Sequence, residues 1–175
     1  MDKRKLANQQ VKDRLFTALM EFAGQKDLSK VTITELIEKS GVARASFYRN
    51  FKSAEEIVHY GIQQLSQQYH DGKPPIPEDF HSRELMLYKF RFYQQHAGLI
   101  LAFHHAKVTA SLLEIITDCE IDACGDMPAN SISRYELYYY AGAFYNMMLH
   151  WLEGGTKESP EAMADEFLRI ADGLR

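Results

Sequence analysis

Apolar residues recur at helical spacing along most of the chain, and this periodicity restricts the fold more than any other feature of the sequence. Val11, Leu15, Leu19 and Phe22 begin the pattern, which returns in almost every later segment. No segment shows the alternation of apolar and polar residues that is typical of a half-buried strand. The sequence therefore predicts an all-α fold of about nine helices.

Glycine and proline divide the helical pattern into two groups of helices. The stretch DGKPPIPED at 71–79 contains three prolines and predicts the boundary between two domains. The first domain is expected at 1–52 and the second at 72–175, with a fourth helix at about 53–70 connecting them. The helices of the second domain are expected at roughly 80–96, 97–105, 107–124, 132–153 and 160–173.

Composition and local sequence predict a cytoplasmic protein without a cofactor. Of the 175 residues, 46% are hydrophobic and 25% are charged, which is typical of a chain that folds around a core. No apolar run reaches the ~18 residues that would cross a membrane. The opening MDKRKLANQQ has no apolar segment of a secretory signal. Cys119 and Cys124 lie five apart in a helical pattern, so we expect two free thiols and no metal site.

Charge is distributed unevenly along the chain, although the formal net charge is only −4. Residues 1–52 carry eleven Lys or Arg against six Asp or Glu, and the remaining residues carry nine against eighteen. A basic end on an acidic body predicts that the first fifty or so residues contact a polyanion; a chance excess on a solvated face is the alternative. Lys3, Arg4 and Lys5 precede the first helical pattern, either as a solvated terminus, which we favour, or as a basic arm that reaches the polyanion.

Residues 32–51, TITELIEKSGVARASFYRNF, contain two short helical patterns separated by one glycine. Thr32 and Glu35 have the spacing of a capping box at the start of the first pattern. Gly41 is expected to supply a turn with positive φ. The second pattern is rich in Arg, Ser, Tyr and Asn, side chains that bind bases and phosphates. Together they have the form of a helix-turn-helix; a helical hairpin that only packs is the alternative.

The longer stretch TITELIEKSGVARASFYRNFKSAEEIV resembles the DNA-binding module of TetR/AcrR-family transcriptional regulators, over about residues 8–60. The matching features are the capped threonine, the Gly-Val pair, the Phe-Tyr pair and the acidic start of the fourth helix. In that start, Ser53 with Glu56 predicts a second capping box. The segment YYYAGAFYNMMLHWLEGGTKESPEAMA is similar to the corresponding part of a subgroup of these regulators. The resemblance implies a DNA-binding domain followed by a ligand-binding and dimerisation domain.

The resemblance also implies roles for individual positions in DNA binding. Thr32 and Tyr48 match positions that contact phosphate in the family, and Arg44 and Arg49 match positions that read bases. Two departures are Ala54, where the family usually has lysine, and Ala43, which replaces a common serine and removes a helix cap. The implied DNA-binding residues are Thr32, Thr34, Arg44, Ala45, Ser46, Tyr48, Arg49, Asn50 and Lys52.

The second domain contains many aromatic residues and no catalytic motif. It lacks a Gly-x-Ser-x-Gly elbow, a phosphate loop and a His-Glu-x-x-His sequence, so we do not expect an enzyme. Most of the aromatic residues are expected in the core, and homologous regulators place their effector pocket in this domain. The resemblance implies the pocket candidates Phe92, Tyr93, His96, Phe103, Tyr139 and Met147, and the dimer-interface candidates Ala141, Gly142, Tyr145 and Phe167.

These observations predict a homodimeric transcriptional regulator that binds a palindromic operator in double-stranded DNA. The favoured form is a repressor that a small apolar or aromatic effector releases from its operator. A regulator or co-activator controlled by a protein partner is the alternative. A helical enzyme or a purely structural module is a rival of another class, and the missing catalytic motif argues against it.

Overall fold

The computed structural model describes residues 3–23, 25–73, 82–105, 109–124 and 132–173. Within these residues the structure is all-α, with no strand, as the helical periodicity predicts. The elements are α1 (Lys3–Met20), the 3-10 helix η1 (Leu28–Lys30), α2 (Ile33–Ser40), α3 (Arg44–Asn50), α4 (Ala54–Asp71), α5 (Arg83–Gln95), α6 (Ala97–His105), α7 (Thr109–Cys124), α8 (Ile132–Glu153) and α9 (Pro160–Gly173).

The first helix begins earlier in the sequence than the apolar pattern predicts. The helix begins at Lys3, so Lys3, Arg4 and Lys5 form its first turn. Apolar spacing starts only at Val11 and therefore does not indicate the first two turns of α1.

None of the described helices contains a stretch that is long and apolar enough to cross a membrane. The side chains of Cys119 and Cys124 lie outside the described residues.

The described residues form two compact units. The first contains the residues up to Ser66 together with Ala102–His105, and the second contains Gln67–Leu101 and the residues from Thr109 onward. In the first unit, the core consists of side chains from α1 to α4 that are inaccessible to solvent. Leu15, Leu19, Leu36, Phe47 and Ile57 all have 0% exposure.

Helix α1 approaches α4 closely because α4 has a glycine at the contact. A Cβ atom on Gly61 would lie 2.1 Å from Cε2 of Phe16. The Phe16 ring also packs edge-on against Tyr60, with 6.2 Å between the ring centroids. On the same side, the Tyr60 hydroxyl donates to Asp13 Oδ1 at 2.5 Å, and Gln9 Nε2 bonds the same hydroxyl. Burial and the Asp13 carboxylate raise the pKa of Tyr60 to about 12.

The core of the second unit is an aromatic cluster between α5, α8 and α9. Phe90 packs against Phe144 and Trp151, with ring centroids 5.1 and 5.5 Å away, and Phe144 packs against Phe167 at 6.1 Å. Lys89 is 4% exposed, and its Nζ lies 5.4 Å from the centroid of the Phe144 ring. A cation over an aromatic face is attracted by the ring quadrupole, which offsets part of the cost of burying the lysine.

The turn between α8 and α9 is fixed by its own hydrogen bonds. Trp151 Nε1 donates to the carbonyl of Glu158 at 3.1 Å, and Gly155 has φ 80°, a conformation that costs glycine little. Helix α9 begins at Pro160, the preferred first-turn position for proline, as the sequence predicts. The hydroxyl of Ser159 accepts the N–H of Ala162 at 3.2 Å and so caps that helix.

Candidate nucleic-acid interface

The start of α2 is the capping box that the sequence predicts. The Thr32 hydroxyl accepts the N–H of Glu35 at 3.3 Å, and the Glu35 carboxylate accepts the Thr32 N–H at 2.9 Å. Lys26 Nζ lies 2.5 Å from Glu35 Oε1. Together with the bonds from Thr32, the Lys26 ammonium lowers the pKa of Glu35 from 4.5 to about 2. The carboxylate therefore stays charged at the positive end of the helix dipole.

Acid should weaken this helix start. Because the pKa of Glu35 is lowered on folding, its stabilising effect is complete above pH 4.5 and is lost as the pH falls towards 2. We expect the melting temperature of wild type to fall more steeply over this range than that of Glu35→Gln. Glu38→Gln is the matched control, since Glu38 is exposed on the same helix and makes no ion pair with a described residue. Identical pH profiles for wild type and Glu35→Gln would contradict this assignment.

The turn between α2 and α3 depends on a glycine and on an arginine from α1. Gly41 adopts φ 62°, as predicted, and ends α2. The guanidinium of Arg14 donates to the carbonyl of Ser40 at 2.6 Å, and a Cβ atom on Gly41 would lie 3.0 Å from that guanidinium. The Ser40 hydroxyl accepts the N–H of Val42 at 3.2 Å. These bonds hold α3 at one angle to α2. Sequence reasoning missed Arg14, because its partner is 26 positions away.

Helix α3 buries one face and exposes the other. Phe47 is 0% exposed and docks the helix into the core of the first unit. Tyr48 is 52% exposed, with its ring edge-on to Phe47 at 5.2 Å between centroids. Arg44 and Arg49 are exposed, and Arg44 Nη2 donates to the hydroxyl of Thr34 at 3.2 Å. Hydroxyl and guanidinium groups thus share one outer surface of α2 and α3.

The N-cap of α3 agrees with the prediction, whereas the capping box predicted after α3 is only partly formed. Ala43 stands at the N-cap and supplies no side-chain hydrogen bond, as predicted. After α3, the Ser53 hydroxyl accepts the Glu56 N–H at 3.2 Å, which is half of the predicted capping box. The Glu56 carboxylate accepts the N–H of Lys52, at 2.7 Å, one residue earlier than a capping box requires. The backbone N–H of Lys52 is therefore hydrogen-bonded to Glu56, while the residue itself is exposed to solvent.

The nine residues expected to bind DNA occupy one continuous part of the chain, from the start of α2 to the turn after α3. None is buried. Two of them are half-buried, and the amide of Asn50 donates to the carbonyl of Ser46 at 2.9 Å, within the helix. The exposed members are Thr32, Thr34, Arg44, Ala45, Tyr48, Arg49 and Lys52.

Two protein-family models match the sequence, and one of them covers the helices that carry these residues. Residues 15–60 match the model described as bacterial regulatory proteins of the tetR family, and residues 82–173 match the C-terminal region of its transcriptional regulators. The second match alone covers more than half of the chain. This protein belongs to the TetR family of transcriptional regulators.

Solved structures show the same fold for the regulator. Lin0861 from Listeria innocua superposes with a TM-score of 0.78 at 14% sequence identity, over 100% of this chain and 94% of that chain. A TetR transcriptional regulator from Streptococcus agalactiae 2603V superposes with a TM-score of 0.65 at 14% identity, over 95% of this chain and 96% of that chain. No curated protein matches the sequence.

The second unit of the regulator contains an open cleft of about 480 Å³ between the end of α4 and α5. Phe92 and His96, two of the predicted pocket residues, line it, with their ring centroids 4.5 Å apart. Burial lowers the pKa of His96, which favours the neutral imidazole. The full lining is Gln68, Gly72, Glu84, Leu87, Tyr88, Arg91, Phe92, Gln95 and His96.

The other four pocket candidates lie elsewhere. Tyr93 is buried against Phe144, with 5.5 Å between ring centroids. Phe103 belongs to the first unit and packs against Phe16. Tyr139 is 51% exposed on α8, and Met147 is half-buried there. None of these four is among the residues that line the cleft.

Tyr88 joins the two helices at the cleft. Its hydroxyl donates to the carbonyl of Tyr69 at 2.7 Å, in the last turn of α4, where helix carbonyls lack partners within the helix. A Cβ atom on Gly72 would lie 2.2 Å from that hydroxyl. Burial raises the pKa of Tyr88, so the hydroxyl keeps the proton that it donates. Sequence reasoning missed both Tyr88 and Gly72 as cleft residues.

The predicted dimer residues are mostly inside the protomer. Ala141, Tyr145 and Phe167 are 0%, 5% and 4% exposed, respectively. Gly142 is half-buried, and an added Cβ atom would have no neighbour within 4 Å. Among the described residues of α8, the large hydrophobic side chains that are exposed are instead three tyrosines that were not predicted to be at an interface: Tyr135, Tyr138 and Tyr139, at 63%, 42% and 51% exposure.

Proposed function

We propose that this TetR-family regulator is a homodimeric repressor, that α3 reads its operator, and that a small molecule in the cleft of the second unit releases it. The exposed outer face of α3, held by the fully buried Phe47, carries the proposal. Arg44 and Arg49 project from a helix whose orientation is fixed by the Gly41 turn and by the bond from Arg14 to Ser40.

This face has the chemistry of a major-groove reader. A guanidinium donates two parallel hydrogen bonds to O6 and N7 of guanine, an edge that only the major groove presents in this form. Ala45 exposes a methyl group between the two arginines and lets the helix approach the bases. We assign phosphate contacts to the exposed residues Thr32 and Tyr48, and such contacts set the register without reading sequence.

A second copy of the chain would double this recognition. One recognition helix covers only a few base pairs, whereas a two-fold dimer reads two half-sites about one helical turn or a multiple of it apart. The exposed tyrosines of α8, with Gly142 near them in sequence, form the face that we assign to the second copy. Tyrosine supplies large contact area at low conformational cost, and glycine lets two helices approach closely.

We assign binding of the small-molecule effector to the cleft of the second unit. A volume of about 480 Å³ lies within the range of small-molecule sites, roughly 300–1,000 Å³. Phe92 offers an aromatic wall, and the His96 imidazole forms no hydrogen bond with a described residue. An aromatic ligand with one polar group fits these walls. Such a ligand releases DNA only if it binds the DNA-free conformation more tightly than the DNA-bound one.

Selection of random DNA duplexes on the purified regulator tests the proposal. We expect enrichment of a palindrome whose half-sites are separated by about one helical turn or a multiple of it. Affinity for the enriched site should fall steeply between 50 and 200 mM salt, because counterions are released on binding. A unique enriched site would then serve as the probe for compounds that dissociate the complex. Absence of any enriched sequence would overturn the proposal, and an enriched site without two-fold symmetry would overturn its dimeric form.

A further inference from the structure

Lys12 of α1 lies beside the end of α3. Its Nζ is 5.8 Å from the ring centroid of Phe51 and 5.5 Å from that of Tyr60. Phe51 is the C-cap residue of α3, and it directly precedes the exposed Lys52. The stacked contact fixes where the ammonium sits. A cation that belongs to another helix therefore adjoins the surface assigned to DNA.

Lys5 lies on the same face of α1 as Lys12, nearer to the N-terminus of the helix. Seven residues separate Lys5 from Lys12, which is about two helical turns, so both lie on one face about 10.5 Å apart. Between them, Gln9 bonds the Tyr60 hydroxyl, which shows that this face is turned towards α4. Two ammonium groups about 10.5 Å apart are too far from each other to bind the same phosphate group. The two ammonium groups can therefore reach different phosphates.

Neither lysine is neutralised by a carboxylate within the described part of the chain, in contrast to Lys26 and Lys39 of the first unit. Lys26 pairs with Glu35 at 2.5 Å and Lys39 with Glu21 at 2.8 Å. Lys5 and Lys12 form no ion pair with any described residue. Asp13, which follows Lys12 in the sequence, accepts hydrogen bonds from Tyr60 at 2.5 Å and from Gln9 at 3.1 Å.

We propose that α1 is a second DNA-contacting helix of the regulator, whose Lys5 and Lys12 bind backbone phosphates next to the segment read by α3. This inference rests on the proposed function, because it requires that α3 faces DNA. The contacts carry no sequence information. They add affinity equally for the operator and for unrelated DNA, and they fix the rotation of the first unit about the recognition helix.

Salt dependence of binding tests this role. Each phosphate contact contributes about 0.9 to the slope of log K against log salt, and a dimer carries each lysine twice, so Lys5→Gln with Lys12→Gln should reduce the slope by about 3.6. The reduction should be the same on the selected operator and on scrambled DNA. Lys157→Gln, an exposed lysine of the second unit, is the control and should leave the slope unchanged. An unchanged slope in the double variant would overturn the proposal.

Lys12→Arg separates charge from packing, because arginine keeps both the cation and the stacked contact. It should retain the wild-type slope and melting temperature, whereas Lys12→Met, which removes one contact in each protomer, should lower the slope by about 1.8. A fall in melting temperature with an unchanged slope would assign Lys12 a structural role only and overturn the proposal. Failure of the wild-type protein to bind any DNA would overturn the proposed function itself, which these variants do not test.

Discussion

Reversing both arginines of α3, as Arg44→Glu with Arg49→Glu, should reduce affinity for the selected operator at least about 100-fold. A bidentate arginine–guanine contact discriminates by about 1–3 kcal/mol, and two such contacts are lost in each half-site. Two carboxylates also repel the phosphates that flank the bases. Fluorescence anisotropy of a labelled operator at fixed salt measures the loss, and unrelated DNA measured beside it separates base reading from general repulsion.

The control is a protein with the same change of net charge at another place. Lys73→Glu with Lys157→Glu alters two exposed lysines of the second unit and should change operator affinity little. Both double variants should keep the helical circular dichroism of wild type, because the only described contact broken in α3 is the exposed bond from Arg44 to Thr34. If the arginine variant binds the operator as tightly as wild type, α3 does not read DNA.

Phe47→Ala should reduce the free energy of unfolding of the first unit by about 3–5 kcal/mol. The ring is 0% exposed and lies in the core to which α1, α2 and α4 also contribute. Removing it leaves a cavity beneath α3, and the loss is large because the surrounding side chains can collapse into such a space only in part. DNA binding should fail as a consequence, since the reading helix loses its anchor.

The adjacent residue provides the comparison. Tyr48→Ala removes a ring that is 52% exposed and should change stability by less than about 1 kcal/mol, although DNA affinity should fall. Denaturant unfolding followed by circular dichroism, with amide hydrogen exchange of residues 15–60, distinguishes the two variants. Equal stability of Phe47→Ala and wild type would mean that α3 does not depend on this core.

The positions of helices could be predicted wherever a glycine, a proline or a capping residue marks the end of a helical pattern of apolar residues. The predicted helices at 97–105, 132–153 and 160–173 agree with α6, α8 and α9, and Pro160 marks the start of the last. Thr32 with Glu35 predicted the start of α2, because capping is a local interaction between residues three apart. The first turns of α1 were not predicted, since Lys3, Arg4 and Lys5 have no apolar spacing.

Side-chain direction could not be predicted where apolar residues lie around the whole helix. Apolar and aromatic residues occur on every side of helix α8, so their spacing in the sequence does not show which face of the helix is buried. The structure buries Ala141 and Phe144 and exposes Tyr135 and Tyr139. On α5, the rings of Phe92 and His96 lie side by side at the cleft, because positions i and i+4 share a face. Tyr93, one position further along, turns to the core instead.

Long-range contacts formed by polar residues could not be predicted at all. The bond from Arg14 to the Ser40 carbonyl, and the contact of Gly72 with the Tyr88 hydroxyl, both depend on how two helices cross. Neither pair has a spacing or composition that marks it in the sequence. The candidate DNA-binding residues could be named because they form one continuous segment with a recognisable pattern, whereas the cleft is assembled from two separate helices.

The hydrogen-bonded Trp151 has a practical consequence for how the regulator is observed. It is the only tryptophan among the 175 residues, and it lies in the second unit, 5% exposed and edge-on to Phe90. Intrinsic emission excited at the red edge of the protein absorption band therefore reports on one place in the chain. It should shift to longer wavelength when the aromatic cluster opens to water, and it should be insensitive to damage confined to the DNA-reading unit.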